Sequence, residues 1–159
     1  MQMKFKNWIV SKLNNIKASS YAISAGFACG AMVSFTPFVG FHTLLAVITA
    51  FLCRGNLVAA VIGTAVGNPW TFPFIWSATL FTGRDILKTT QTAHVDFLSL
   101  FGNLWIAVKS FDFQLFARDI WPILHPMMIG CIPYCVIVWI VSFYSVKKTI
   151  KKIRGINKK

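Results

Sequence analysis

Three stretches without a single charged side chain dominate the sequence: Tyr21–Cys53 with 33 residues, Gly55–Gly83 with 29 and Ile120–Val146 with 27. Each is longer than the roughly 18–20 apolar residues that cross a bilayer as a helix. Hydrophobic residues make up 56% of the chain and charged ones 13%, more apolar surface than one soluble core of this length buries. The runs recur along the whole chain, and the first 20 residues lack a compact apolar core followed by a small-residue cleavage site, so a cleaved leader does not account for them. The expectation is an all-α integral membrane protein, crossing more than once.

The net charge of +12 is placed in blocks. Residues 1–20 carry four lysines and no acid, and the tail KKTIKKIRGINKK, 147–159, carries seven basic residues and no acid. Between them the stretch 84–119 balances Arg84, Lys88, Lys109 and Arg118 against Asp85, Asp96, Asp112 and Asp119. Basic flanks beside membrane segments predict that both termini face the cytoplasm, where lysines also meet anionic lipid headgroups. The tail has no aromatic residue to stack on bases, so nucleic acid is not the expected partner.

The spacing divides the chain into an interfacial amphipathic helix over 1–20, one membrane domain over 21–146 and a basic tail over 147–159. Within the membrane domain the pattern predicts a helical hairpin at 21–53, a second at 55–83, an amphipathic connector at 84–119 and a proline-kinked transmembrane segment at 120–146. Val95–Val108, too short for a comfortable crossing, reads as a helix at the interface. The two hairpins look like a weak tandem repeat. Gly26 and Gly30 precede a break at Thr36–Pro37, and Gly63 and Gly67 precede a break at Asn68–Pro69, with the small-residue faces letting the arms approach closely. Each arm spans only about 20–24 Å, less than the roughly 30 Å hydrocarbon layer, so the hairpins are either re-entrant or part of three broken crossings.

The breaks carry the chemistry. Thr36–Pro37 and Asn68–Pro69 each place an N-cap residue before a proline, which is favoured at the first helical position, so each break predicts a helix starting there. A helix that starts at membrane depth offers free N–H groups and the positive end of its dipole to an anion. Gly40, His42 and Thr43 follow the first break and Thr71 the second, with Arg54, Asn56 and Arg84 at the far ends of the arms. Plain proline kinks whose freed backbone groups are satisfied by Ser, Thr and Asn remain the alternative. Cys29, Cys53, Cys131 and Cys135 read as packing residues. No cofactor or metal site is expected, since the spaced thiols of Cys131 and Cys135 have no carboxylate nearby.

The ordered elements Pro37, Gly40, His42 and Thr43, then Arg54 and Asn56, then Asn68, Pro69 and Thr71 resemble those of the bacterial membrane family catalogued as domain of unknown function 2062. The resemblance spans about residues 20–150 and implies a small protein of the bacterial inner membrane. Relatives that carry the domain beside glycosyltransferases imply a link to envelope glycolipid or polyprenyl-phosphate metabolism.

Three functions fit these features. The first is a non-enzymatic carrier of an anionic lipid of polyprenyl-phosphate type, its headgroup held at the broken-helix N-termini by Thr36, Pro37, Gly40, His42, Thr43, Arg54, Asn56, Asn68, Pro69, Thr71 and Arg84. A membrane scaffold or assembly subunit is the second, and a homo-oligomer would help cover the breaks. A lipid-headgroup enzyme is the third and weakest, because its only close acid–histidine pair is His94 with Asp96 and metal-dependent phosphotransfer favours clustered carboxylates.

Overall fold

A computed structural model describes residues 18–38, 40–89 and 116–156, with isolated positions at 102, 106, 109, 110 and 114. Residues 1–17 of the expected helix over 1–20, the expected helix over Val95–Val108 apart from positions 102 and 106, the His94–Asp96 pair and the last three residues of the tail lie outside the described residues. The described residues form five helices and no strand: α1 Ser20–Val33, α2 His42–Leu52, α3 Leu57–Gly63 with a tighter turn over Thr64–Val66, α4 Phe72–Leu87 and α5 Trp121–Ile156. They divide into two compact units, one of 18–34, 40–66 and 137–156, the other of 35–38, 67–89 and 116–136.

In the first unit α1 begins with Ser19, whose Oγ accepts the Ala22 N–H at 3.0 Å. Such a bond satisfies one of the donors a helix start leaves open. The helix stops at Ser34, three residues before Pro37, and Ser34 is fully buried with its hydroxyl 3.1 Å from Gly30 O and 3.2 Å from Thr64 O. Gly26 and Gly30 create the close approach that the spacing predicts, although the partner differs from the expected one. A Cβ at Gly26 would collide with the Asn56 backbone and one at Gly30 with that of Ala60, while Gly63 in turn lies on the backbone of Phe27. The small face of α1 thus packs on α3, across the two expected hairpins. Both strips consist of Gly and Ala at four-residue spacing, so they fit each other as well as they would fit their own hairpin arms.

The link between α2 and α3 explains the order Arg–Gly at 54–55. The Gly55 N–H donates to Ala50 O at 2.7 Å and the Arg54 N–H to Phe51 O at 3.0 Å, which puts Arg54 in the left-handed position after the helix with φ of 52°. Glycine usually occupies that position. Here glycine is needed one residue later, because a Cβ at Gly55 would sit 2.7 Å from Gly26 N. Arg54→Gly therefore relieves a strained conformation, although it adds flexibility to the unfolded chain. It should raise Tm in detergent by about 1–2 °C, and an unchanged or lower Tm would show that Arg54 makes a stabilising contact.

In the second unit α4 packs against the first half of α5. Gly83 lies against the Pro126 carbonyl and Gly130 against that of Thr79, so a Cβ at either would strike backbone. Ile75, Trp76, Leu80 and Met127 form the buried cluster, with Phe35 and Phe72 packed against it. Phe35 also stacks on Tyr134 at 6.3 Å, and Tyr134 shares a hydrogen bond of 2.9 Å with Thr82. That pairing closes two hydroxyls together on an otherwise apolar face.

Helix α5 runs through Pro126 and Pro133 and does not stop where the uncharged run ends at Val146. The basic segment continues it to Ile156 for two reasons. Lys and Arg are good helix formers, and Ile150 is buried with Ile23 and Ala59. Arg154 then donates from Nη2 to Ala18 O at 2.8 Å. Among the described residues α5 is the one helix long and apolar enough to cross a membrane by length and composition; α1, at 14 residues, reaches about 21 Å.

Burial by size is inverted relative to a water-soluble domain. In the first unit the buried positions are mostly small, Ala25, Ala28, Ala31, Ala46, Ala50, Ala59 and Ala60 with Gly26, Gly30, Ser24 and Ser34, while the second unit also buries Ile75, Trp76, Leu80 and Met127. Large apolar side chains lie outside, among them Trp70 at 86% exposure, Phe74 at 78%, Leu52 at 73%, and Phe51 and Phe81 each at 72%.

Candidate functional site: three helix junctions

The candidate residues other than Arg84 fall at three junctions between helices. The first corrects the expected helix start at Thr36–Pro37. Thr36 is half-buried in a bend and Pro37 is buried, but the chain does not turn helical there. Gly40 adopts φ of +84°, which a right-handed helix cannot contain, and α2 begins two residues later at His42. The residue before it, Phe41, supplies no side-chain cap. His42 and Thr43 therefore occupy the first two helical positions, Thr43 exposed and His42 half-buried with its Nε2 inside the protein. Leu45 N–H returns to Phe41 O at 2.9 Å as the first helical bond.

The second junction holds Arg54 and Asn56. Arg54 is exposed at the left-handed position described above, and Asn56 starts α3 by accepting the Ala59 N–H on Oδ1 at 2.9 Å. Asn56 also donates its own N–H to Ala22 O at 2.7 Å. The residue thus closes one helix and ties it to another.

The third junction corrects the expected helix start at Asn68–Pro69: α4 begins at Phe72, three residues after Pro69, with Thr71 at the cap position and no side-chain cap bond, and Asn68 to Thr71 form a turn before it. Asn68 Oδ1 accepts the N–H groups of Trp70 at 3.0 Å and Thr71 at 3.1 Å. In return Thr71 Oγ1 accepts the Asn68 N–H at 3.0 Å, and Phe72 N–H reaches Asn68 O at 3.0 Å. This reciprocal pair closes the turn that leads into α4, and Pro69 fits that turn because its missing N–H is not needed there. The groups on Asn68 and Thr71 that were expected to hold a ligand are engaged with each other. Arg84 sits in the last turn of α4, about 20 Å along the helix from Thr71. It does not belong to the start of that helix.

By unit, Gly40, His42, Thr43, Arg54 and Asn56 lie in the first and Thr36, Pro37, Asn68, Pro69, Thr71 and Arg84 in the second. Among the described residues no three of His, Cys, Asp and Glu come together. Sequence reasoning missed the Thr82–Tyr134 pair and the grip of Arg154 on Ala18. Thr82 beside Gly83 and Tyr134 four residues after Gly130 were the available signal for the first, and no local signal exists for the second.

Residues 4–159 match the family described as "uncharacterized protein conserved in bacteria", DUF2062. The chain belongs to this family. The three elements that carry the resemblance coincide with the three junctions: Pro37 and Gly40 precede α2 and His42 and Thr43 begin it, Arg54 and Asn56 form the link from α2 to α3, and Asn68 to Thr71 form the turn before α4. In this DUF2062 chain each element thus has a backbone task whatever ligand it serves. No curated protein and no solved structure matches the chain.

Proposed function

We propose that the protein is an integral protein of the bacterial inner membrane that carries an anionic lipid, of polyprenyl-phosphate type, without catalysing a reaction on it. The inverted burial supports this reading most strongly. Exposing Phe, Leu and Trp while burying Ala and Gly would sacrifice about 25 cal/mol per Å² of apolar surface in water, whereas in lipid, tails are as apolar as the side chains and helices associate through small residues. Helix α5 supplies a full crossing. Helices α1 to α3 are individually too short for one and lie at membrane depth as a group.

The headgroup belongs at the start of α2. The helix there has no side-chain cap, Thr43 offers an exposed hydroxyl and the helix dipole favours negative charge. His42 occupies the first helical position beside it. The turn before α4, closed by the reciprocal bonds of Asn68 and Thr71, is assigned a structural role. Arg54 and Arg84 draw the headgroup toward the protein from the surface.

Purified protein in liposomes should speed the transfer of labelled polyprenyl phosphate between leaflets. Folded protein that leaves the transfer rate at that of empty liposomes overturns the carrier role. A stoichiometric partner recovered in mild detergent together with that negative result would establish a scaffold instead.

A further inference from the structure

Among the described residues of the first unit six side chains are positively charged, Arg54, Lys147, Lys148, Lys151, Lys152 and Arg154, and none is negative. In the described part of the second unit four cations stand with two carboxylates. The six cations are gathered by the fold at one end. Arg54 follows Cys53, whose carbonyl accepts the Tyr21 hydroxyl at 3.3 Å, and precedes Asn56, whose N–H reaches Ala22 at 2.7 Å. Both bonds bring it to the first turn of α1. The end of α5 arrives at the same turn, where Arg154 binds Ala18 O at 2.8 Å and approaches Ser20 Oγ at 3.4 Å. Burial of Ile150 beside Ile23 fixes the helix between them.

From this placement we infer that the end of the first unit is a preformed docking surface for the phosphate groups of anionic phospholipids. The basic segment is thereby a packed helix and not a loose tail. A dissolved polyanion such as nucleic acid would meet the cations alone. A phospholipid matches more of the surface, because the charged turns continue directly into an apolar one. Lys147 Nζ lies 5.0 Å above the Phe143 ring, and exposed Tyr144, Val141 and Ile140 follow on the same helix. Phosphate can sit at Lys147, Lys148, Lys151 and Lys152 while the acyl chains lie along those side chains. The inference rests on the membrane reading, but not on the headgroup position at α2.

The test uses the full chain in neutral detergent, with phosphatidylglycerol or phosphatidylcholine added to the micelles and thermal unfolding as the readout. Phosphatidylglycerol should raise Tm and phosphatidylcholine should not, and about 0.5 M salt should remove most of the difference. The triple variant Lys148→Gln, Lys151→Gln, Lys152→Gln alters exposed residues and keeps most of each stem. It should bind phosphatidylglycerol on the order of a hundredfold more weakly, while exposed Lys88→Gln in the other unit should bind normally. Equal shifts with both lipids, or a triple variant that is folded by circular dichroism and binds like the native chain, would overturn the inference. So would displacement of phosphatidylglycerol by an equimolar oligonucleotide. The two proposals fail separately: no leaflet transfer with an intact phosphatidylglycerol shift removes the carrier, and transfer without the shift removes this surface.

Discussion

Gly130→Leu should leave the protein unable to form the α4–α5 contact. At this position α5 touches α4 backbone to backbone, since a Cβ would strike the Thr79 carbonyl and lie 2.5 Å from Gly83 N. Backbone cannot rotate away as a side chain would, so the helices must separate. Separation would also part Thr82 from Tyr134 and open the cluster of Ile75, Trp76, Leu80 and Met127. Overpacking of this kind costs about 3 kcal/mol or more, a large share of the stability of a small domain. Gly102, with open space around its Cβ position, provides the comparison. Gly102→Ala should unfold within about 2 °C of the native chain, whereas Gly130→Leu should aggregate on detergent extraction or lose its cooperative transition. A native-like Tm for Gly130→Leu would mean that the two helices do not meet as described.

The largest functional effect is expected at the start of α2. His42→Ala with Thr43→Val should lower leaflet transfer of polyprenyl phosphate more than about tenfold, the equivalent of losing one charge-assisted hydrogen bond. The cap position of α2 is Phe41 and Thr43 is exposed, so the double variant should still fold, as circular dichroism would show. Asn68→Ala should behave in the opposite way. It removes the acceptor of the Trp70 and Thr71 N–H groups and should cost about 1 kcal/mol of stability, while the remaining folded protein still transfers lipid. Full transfer by the α2 double variant would contradict the placement of the headgroup. Loss of transfer in folded Asn68→Ala would return the site to α4.

Much of the helix chemistry was legible in local sequence. Asn68–Pro69 predicts a capped start, and the two Asn68 bonds and the reciprocal Thr71 bond are made, but in the turn before α4, which begins at Phe72. The four-residue glycine spacing predicts close helix contact, which Gly26 and Gly30 make. Thr36–Pro37 has the same local signature as Asn68–Pro69 but yields no helix, because Gly40 takes a left-handed conformation before the first turn could close. A motif read two residues at a time does not register that later interruption. The partner of α1 was illegible for a different reason. Strips of Gly and Ala carry little shape information, and the placement of α3 on the glycine face of α1 depends on Gly55 meeting Gly26 and Asn56 meeting Ala22, contacts about 30 residues apart in sequence. The continuation of α5 past Val146 depends likewise on Ile150 and Arg154 reaching residues near the other end of the chain. Charge alone made that segment look like a tail.

The account depends most on lipid, and not water, being the solvent around the large apolar side chains. Single cysteines at 51, 81 and 140, in a background with the four native cysteines replaced, can carry a fluorophore in reconstituted liposomes. Quenching by spin labels on the acyl chains, with little quenching by aqueous iodide, is the predicted result at all three positions. Strong iodide quenching with no effect of the acyl-chain labels would contradict it, and with it the membrane reading on which the carrier and the cationic docking surface both stand.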